Sequence, residues 1–210
     1  MKLQSFGSLM VVAVLAATST SCGEYVRNQG RSPSQLVITS LQGARGNTPT
    51  QFGTPLVSDV ETIVTTPDPC TQASPCHTVF GDLGQVTMSL ILKDPGAAGT
   101  SATPTSLNSV TINRYRVEYR RTDGHNIVGV DVPFPIDSAV TFTVPSDATA
   151  TAAFELMRVT AKREAPLRDL LVSGREISMI ADVTFYGRDQ AGNDVSATGS
   201  IGIEAGDFLP

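Results

Sequence analysis

Alternation of apolar and polar residues with a period of two dominates the chain from residue 35 onward, and this period predicts β-strands. The alternation is clearest in residues 177–185 and 195–205. Between these stretches, residues 187–193 contain Gly and Asn, which tolerate the positive φ angles of tight turns. The C-terminal part of the chain is therefore predicted to be a β-hairpin.

Five further stretches show the same alternation. They are residues 35–41, 57–64, 85–93, 109–121 and 139–144. Residues 154–163 are interpreted as another strand, followed by a loop or one helical turn. A helix within residues 153–171 is the alternative, although Pro166 would break a single long one. Short strands with frequent turn signals predict an all-β fold, a two-sheet antiparallel sandwich of about seven to nine strands.

The N-terminal residues follow a different pattern, that of an export signal. Lys2 precedes the apolar stretch 9–17, and the small residues 19–21 come directly before Cys22. A bilayer-spanning helix needs about 20 apolar residues, roughly twice the length of this stretch. We therefore expect a signal peptide over residues 1–21.

Residues 19–23 (STSCG) resemble the lipobox of bacterial lipoproteins, with Ser19 where that family usually has Leu. The resemblance implies that Cys22 becomes the acylated first residue of a protein anchored in the bacterial cell envelope, and Gly23 is compatible with transfer to the outer membrane. Plain secretion with a free Cys22 thiol and an uncleaved anchor are the alternatives. Residues 22–34 would then form a flexible tether spanning about 20 Å, followed by one domain over residues 35–210.

The other two cysteines, Cys70 and Cys76, lie in a segment rich in Pro, Ser and Thr that is expected to be a loop. If Cys22 carries lipid, these two can form a disulfide that stiffens the loop and leaves no free thiol. A redox pair or a metal site with His77 is the alternative. Redox pairs favour C-x-x-C spacing, and His125 is the only other histidine available as a zinc ligand. We therefore expect no metal site.

Composition and motifs exclude several classes of function. Charged residues make up 17 % of the chain and the net charge is −5, so a nucleic-acid partner is not expected. The chain has two histidines and lacks the G-x-S-x-G, H-E-x-x-H and glycine-rich phosphate-binding motifs. We therefore predict a noncatalytic protein without a cofactor.

Residues 183–204 (VTFYGRDQAGNDVSATGSIGIE) resemble the last strand pair of bacterial immunoglobulin-like and fibronectin-type domains, in which a D-x-A-G-N turn is frequent. The resemblance implies an immunoglobulin-like sandwich. Folds of this kind serve adhesion, spacing, assembly and binding alike.

Two groups of residues are candidate binding sites. Arg114, Arg116 and Arg120 alternate onto one face of the strand predicted at residues 109–121, opposite Tyr115, Val117 and Tyr119. They form either a solvated face with cross-strand partners or a cationic strip for an anionic surface. Oxygen ligands for calcium are offered by Asp189, Asn193 and Asp194, although their spacing differs from that of the EF-hand loop and suits plain turn chemistry.

The function expected from these features is that of a lipid-anchored binding or structural module, with the membrane as one partner and an envelope protein or polysaccharide as another. A receptor for small ligands or carbohydrates is the alternative. The absence of Trp and the 6 % aromatic content weaken it, because sugars usually stack on aromatic rings. An accessory domain of a secreted hydrolase is a further alternative.

Overall fold

The computed structural model describes residues 30–94, 96 and 102–208, and within them the fold is all-β with two short helices. The strands are β1 (Ser34–Ala44), β2 (Leu56–Asp59), β3 (Thr62–Val64), β4 (Cys76–Thr78), β5 (Asp82–Leu92), β6 (Val110–Arg120), β7 (Ile136–Val144), β8 (Ala150–Met157), β9 (Ile177–Asp189) and β10 (Asp194–Gly206). The helices are α1 (Val159–Lys162) and α2 (Leu170–Ser173), and a 3₁₀ turn covers Ser106–Asn108. Neither α-helix is long and apolar enough to cross a membrane.

Two sheets form the sandwich that the alternation predicts. One has the strand order β1-β5-β8 and the other β2-β10-β9-β6-β7. All neighbours in these sheets are antiparallel except β10 and β2, which pair in parallel through residues 203–206 and 56–59. The strands β3 and β4 form a separate hairpin.

One predicted strand, residues 57–64, is in fact two. β2 lies in the five-stranded sheet, whereas β3 belongs to the separate hairpin. The Asp59 carboxylate accepts hydrogen bonds from the Thr62 hydroxyl at 3.1 Å and from the Phe208 backbone N–H at 3.2 Å, and these bonds hold the bend between the two strands. This division and the unpredicted strand β4 bring the number of strands within the described residues to ten.

The predicted strand over residues 154–163 is placed differently, because β8 begins at Ala150 and ends at Met157. Met157 pairs with Asp82, the first residue of β5, so the neighbouring strand offers no further partner. The chain then turns into α1, passes Pro166 and forms α2. The buried Leu167 and Leu170 attach this segment to the core.

Aromatic rings from both sheets join them in the core. Phe154 in β8 meets Phe185 in β9 with ring centroids 5.2 Å apart, and Tyr115 in β6 lies 5.2 Å from Phe154. The predicted alternation of the terminal hairpin is confirmed by burial, since Met179, Ala181 and Val183 all face this core. These rings fill the centre of a sandwich that has no Trp.

The loops divide between the two ends of the sandwich. At one end, which we call the entry end, the first residue of β1 pairs with the last residue of β5, and the turn between β9 and β10 lies nearby. At the opposite end, the distal end, lie the β3–β4 hairpin, both helices, Phe208 and the loop at 121–135. Since β6 has 11 residues, the two ends are roughly 35 Å apart.

A close approach of two strands gives a test of this packing. A Cβ atom added at Gly187 in β9 would lie 2.4 Å from the Thr111 carbonyl oxygen, whereas at Gly202 in β10 the nearest atom would be Pro55 Cβ at 3.4 Å. We expect Gly187→Ala to lower the free energy of unfolding by about 1–3 kcal/mol through overpacking. Gly202→Ala, the control, should change it far less. Equal urea midpoints for the two variants would contradict the register of β6 and β9.

Candidate functional site

The loop at residues 121–135, which joins β6 to β7 at the distal end, exposes several large apolar side chains. The exposed fractions are 64 % for Ile127, 47 % for Val128, 61 % for Val130 and 58 % for Phe134. We call this segment the apolar loop. Scattered single apolar residues are normal on a protein surface, but four within eight positions indicate a binding surface.

Internal hydrogen bonds fix the conformation of the apolar loop. The Ile127 carbonyl accepts bonds from the backbone N–H groups of Val130, Asp131 and Val132. The Asp131 carboxylate accepts the Ile127 N–H at 2.9 Å, and Gly129 donates to the Val132 carbonyl at 2.8 Å. The loop is thus ordered before any partner arrives, so less conformational entropy is lost on binding.

Glycine is required at position 129 for two reasons. Its φ is +77°, a conformation that L side chains rarely adopt, and a Cβ there would lie 2.7 Å from the Phe134 ring. The Phe134 ring therefore packs against the Gly129 backbone while remaining mostly exposed to solvent. At the base of the loop, Val132 and Ile136 are buried and attach it to the core.

The disulfide expected between Cys70 and Cys76 is present. Contrary to the prediction of a loop throughout, Cys76 and His77 lie in β4, because Val64 and Ile63 of β3 pair with them. His77 Nδ1 lies 3.5 Å from Glu61 on the surface. Among the described residues no cluster of three or more His, Cys, Asp or Glu side chains could hold a metal ion.

A second unusual feature of the distal end is a buried lysine, Lys162 of α1, which is 2 % exposed. Its Nζ donates to Asp82 Oδ1 at 2.8 Å and to the Asp59 carbonyl at 2.7 Å, and it also lies 2.8 Å from Asp82 Oδ2. The Ser58 hydroxyl donates to Asp82 Oδ2 at 2.6 Å, and the Gly46 N–H donates to Oδ1 at 3.0 Å. These contacts satisfy every buried polar side-chain atom of the cluster.

Burial shifts the pKa values of Lys162, Asp59 and Tyr119, which lie in or near this cluster. It lowers the pKa of Lys162 against the opposing attraction of Asp82, and it raises the pKa of Asp59 despite the hydrogen bond from Phe208. Burial also raises the pKa of Tyr119, whose hydroxyl donates to the Leu156 carbonyl at 2.6 Å and joins the two sheets. The sequence alone did not indicate this cluster.

The three arginines of the predicted strip share the outer face of β6, and each has an acidic partner. Arg114 Nε donates to Asp137 at 2.6 Å, Arg116 pairs with Glu118 at 2.7 Å, and Arg120 Nε donates to Asp182 at 2.6 Å. The hydrogen bond from Arg114 lowers the pKa of Asp137. The three arginines are therefore paired, Arg114 and Arg120 across strands and Arg116 within β6.

The calcium candidates are likewise engaged by the chain itself. Asp189 Oδ1 accepts the N–H groups of Ala191 and Asn193, and its Oδ2 accepts Asn193 Nδ2 at 2.9 Å. Asp194 pairs with Arg188 at 2.9 Å. Burial of Asp189 opposes its ionisation, but the hydrogen bonds from Asn193 and its neighbours hold the pKa below the usual range. Gly192, with φ +83°, completes the turn.

The described surface cavities contain few aromatic rings. One cavity of about 570 Å³ lies between residues 35–41 of β1 and residues 196–200 of β10 and has no aromatic side chain in its lining. Another of about 350 Å³ is lined by residues of the 43–57 segment, also without an aromatic ring. Smaller cavities include one aromatic each, Tyr119 or Tyr186.

Comparison with known proteins gives no relative to set beside this site. No family model, no curated protein sequence and no solved structure matches the chain.

The buried cluster makes a quantitative prediction. Asp82→Ala leaves the Lys162 ammonium buried without its partner, which should lower the free energy of unfolding by about 3–5 kcal/mol. The control is Arg168→Gln, which removes an ion pair to Asp169 in which both side chains are mostly exposed. That change should cost no more than about 1 kcal/mol. Chemical denaturation measures both, and similar losses would contradict the placement of Lys162 in the interior.

Proposed function

We propose that this protein is a noncatalytic, lipid-anchored binding module of the bacterial cell envelope and that the apolar loop is its contact surface. The observation that carries the proposal is the concentration of exposed Ile127, Val128, Val130 and Phe134 in one internally hydrogen-bonded loop. Full burial of one such side chain contributes roughly 1.5–3 kcal/mol. A preformed apolar projection fits the kind of surface that supplies binding hot spots.

The position of the loop supports a protein partner rather than the protein's own membrane. The lipid-bearing Cys22 proposed here lies outside the described residues, but the chain enters the sandwich at Ser34, at the entry end. The apolar loop lies at the distal end, roughly 35 Å away along β6. A module tethered by the residues that precede the buried Ser32 would thus present the loop away from the lipid surface.

The chemistry of the loop favours a partner with an apolar cleft over a polysaccharide. Its projecting atoms are mainly hydrocarbon, whereas sugars are bound through hydrogen bonds and aromatic stacking. The described cavities contain at most one aromatic ring each. The receptor and hydrolase-accessory alternatives therefore gain no specific support from this arrangement, and outer-membrane residence stays part of the proposal.

Site-specific photocrosslinking in the native host tests the contact surface. A photoreactive amino acid replaces Ile127 in the full chain and, as a matched control, Val172 of α2, an isolated apolar side chain that is 90 % exposed. We expect a discrete protein adduct from position 127 and none from position 172. Phe134→Asp should remove that adduct while leaving the melting temperature nearly unchanged, because the ring is mostly exposed. Identical adducts from both positions, or an adduct unaffected by Phe134→Asp, would contradict the proposal.

The anchor is tested separately by intact mass. The chain purified from membranes of its native host should begin at Cys22 and carry the mass of the acyl chains, and Cys22→Ser should move it to the soluble fraction. Reduction should release two alkylatable thiols, those of Cys70 and Cys76, which the disulfide protects. An unacylated Cys22 thiol in the membrane-derived protein would disprove the anchor without bearing on the apolar loop.

A further inference from the structure

Among the described residues, two large apolar side chains are exposed at the entry end, where the proposed contact surface has no use for them. Leu107, in the 3₁₀ turn before β6, is 73 % exposed, and Ile91, the penultimate residue of β5, is 51 % exposed. Single exposed apolar residues are normal on a protein surface. These two, however, lie where the chain enters the sandwich.

The start of β1 holds both side chains in one place. Ser34, the first residue of β1, pairs with Leu92, and its hydroxyl donates to the Asn108 carbonyl at 3.2 Å. Ile91 precedes Leu92 in the chain, and Leu107 precedes Asn108. The two exposed apolar side chains therefore flank the same serine.

The turn that carries Leu107 is ordered by its own hydrogen bonds. The Thr105 N–H donates to Asn108 Oδ1 at 2.9 Å, and the Asn108 N–H donates to the Thr105 carbonyl at 2.9 Å. Next to the turn, the Lys93 N–H donates to the Pro33 carbonyl at 2.9 Å and fixes the end of β5 against the incoming chain. An apolar side chain on an ordered turn can make a contact with little loss of conformational entropy.

We propose that the entry end docks on the lipid surface that carries the anchor, with Leu107 and Ile91 inserted at the boundary between head groups and acyl chains. The inference rests on the lipid anchor of the proposed function. It goes beyond the anchor, because it assigns the folded domain a membrane-binding surface of its own and hence a fixed orientation.

The position of the anchor favours a lipid surface as the occupant. Ser32 is buried, so the folded body begins there, and ten residues run from Cys22 to Arg31. Ten residues reach at most about 35 Å even when fully extended. The entry end of an anchored chain thus always has lipid within reach, whereas the apolar loop lies roughly 35 Å farther along β6.

The surrounding charges favour an apolar contact over an electrostatic one. Exposed side chains of both signs border the two apolar residues, namely Arg31, Lys93 and Asp94. At the neighbouring β9–β10 turn, Asp194 pairs with Arg188. A rim of mixed sign gives little net attraction to anionic head groups, so binding at the interface depends on the apolar area buried there. Such a contact should persist at high ionic strength.

Single tryptophan residues test the docking, because the chain has none of its own. Leu107→Trp places the reporter at the entry end, and Val172→Trp, the matched control, places it at an exposed apolar position of α2 at the distal end. Each variant is purified from membranes of the native host and reconstituted into phosphatidylcholine vesicles with or without bromine on the acyl chains. We expect brominated lipid to quench Leu107→Trp several times more strongly than Val172→Trp, which should keep the emission of a water-exposed indole.

Further substitutions show which side chains contribute. Adding Ile91→Asp to Leu107→Trp should weaken the quenching, because a carboxylate is costly to remove from water. Adding Ile127→Asp, in the apolar loop, should leave it unchanged. Equal quenching of Leu107→Trp and Val172→Trp, or quenching that is lost at high salt, would overturn the proposal. A blue shift of Leu107→Trp that needs no lipid and grows with protein concentration would assign the surface to a second copy instead and would also overturn it.

The anchor and the docking fail separately in this experiment. Intact mass of the same samples shows whether Cys22 is acylated. An acylated, vesicle-bound chain in which Leu107→Trp is unquenched overturns the docking and leaves the anchor standing. If Cys22 is unacylated, the anchor fails, and the Cys22 thiol is then coupled to a maleimide lipid, since Cys70 and Cys76 are protected by their disulfide. Quenching of Leu107→Trp in that coupled chain would still support a lipid-binding entry end, and its absence would overturn it.

Discussion

The distal end of the sandwich depends on one interaction, the contact between Lys162 and Asp82. Asp82 accepts hydrogen bonds from Gly46, which follows β1, and from Ser58 in β2. Lys162 also donates to the Asp59 carbonyl, at the point where β2 bends toward the β3–β4 hairpin. Asp59 in turn holds Thr62 and Phe208. Segments far apart in sequence therefore meet around one side chain, where an uncompensated charge would be costly.

Within the sheets, the inward or outward direction of each side chain follows from the two-residue period of a β-strand, which can be read directly from the sequence. In β9, alternate residues must face the core, so Met179, Ala181, Val183 and Phe185 could be assigned from their spacing alone. The same rule placed Tyr115, Val117 and Tyr119 of β6 inside and its arginines outside. Strand boundaries were harder to predict. β8 ends where β5 offers no further pairing, and that limit is a property of the assembled sheet.

The residues that distinguish this molecule could not be found by periodicity. Lys162 lies in a charged stretch that is typical of an exposed helix, and only the fold brings it to Asp82, 80 positions away. Apolar residues of the 121–135 segment were equally consistent with burial, since Val132 in their midst is indeed buried. What exposes Ile127 and Phe134 is the backbone hydrogen bonding around Gly129, which depends on local geometry rather than on composition.

The separation between the entry end and the apolar loop also has a statistical consequence for a chain anchored as proposed. A body roughly 35 Å long, held by a lipid at its entry end, would keep the loop within a layer beside the membrane. Within such a layer, a partner held at the same height meets the loop at a higher local concentration than two freely diffusing proteins would have. Intrinsic affinity can then be weak and exchange rapid, while occupancy stays high wherever the partner is present.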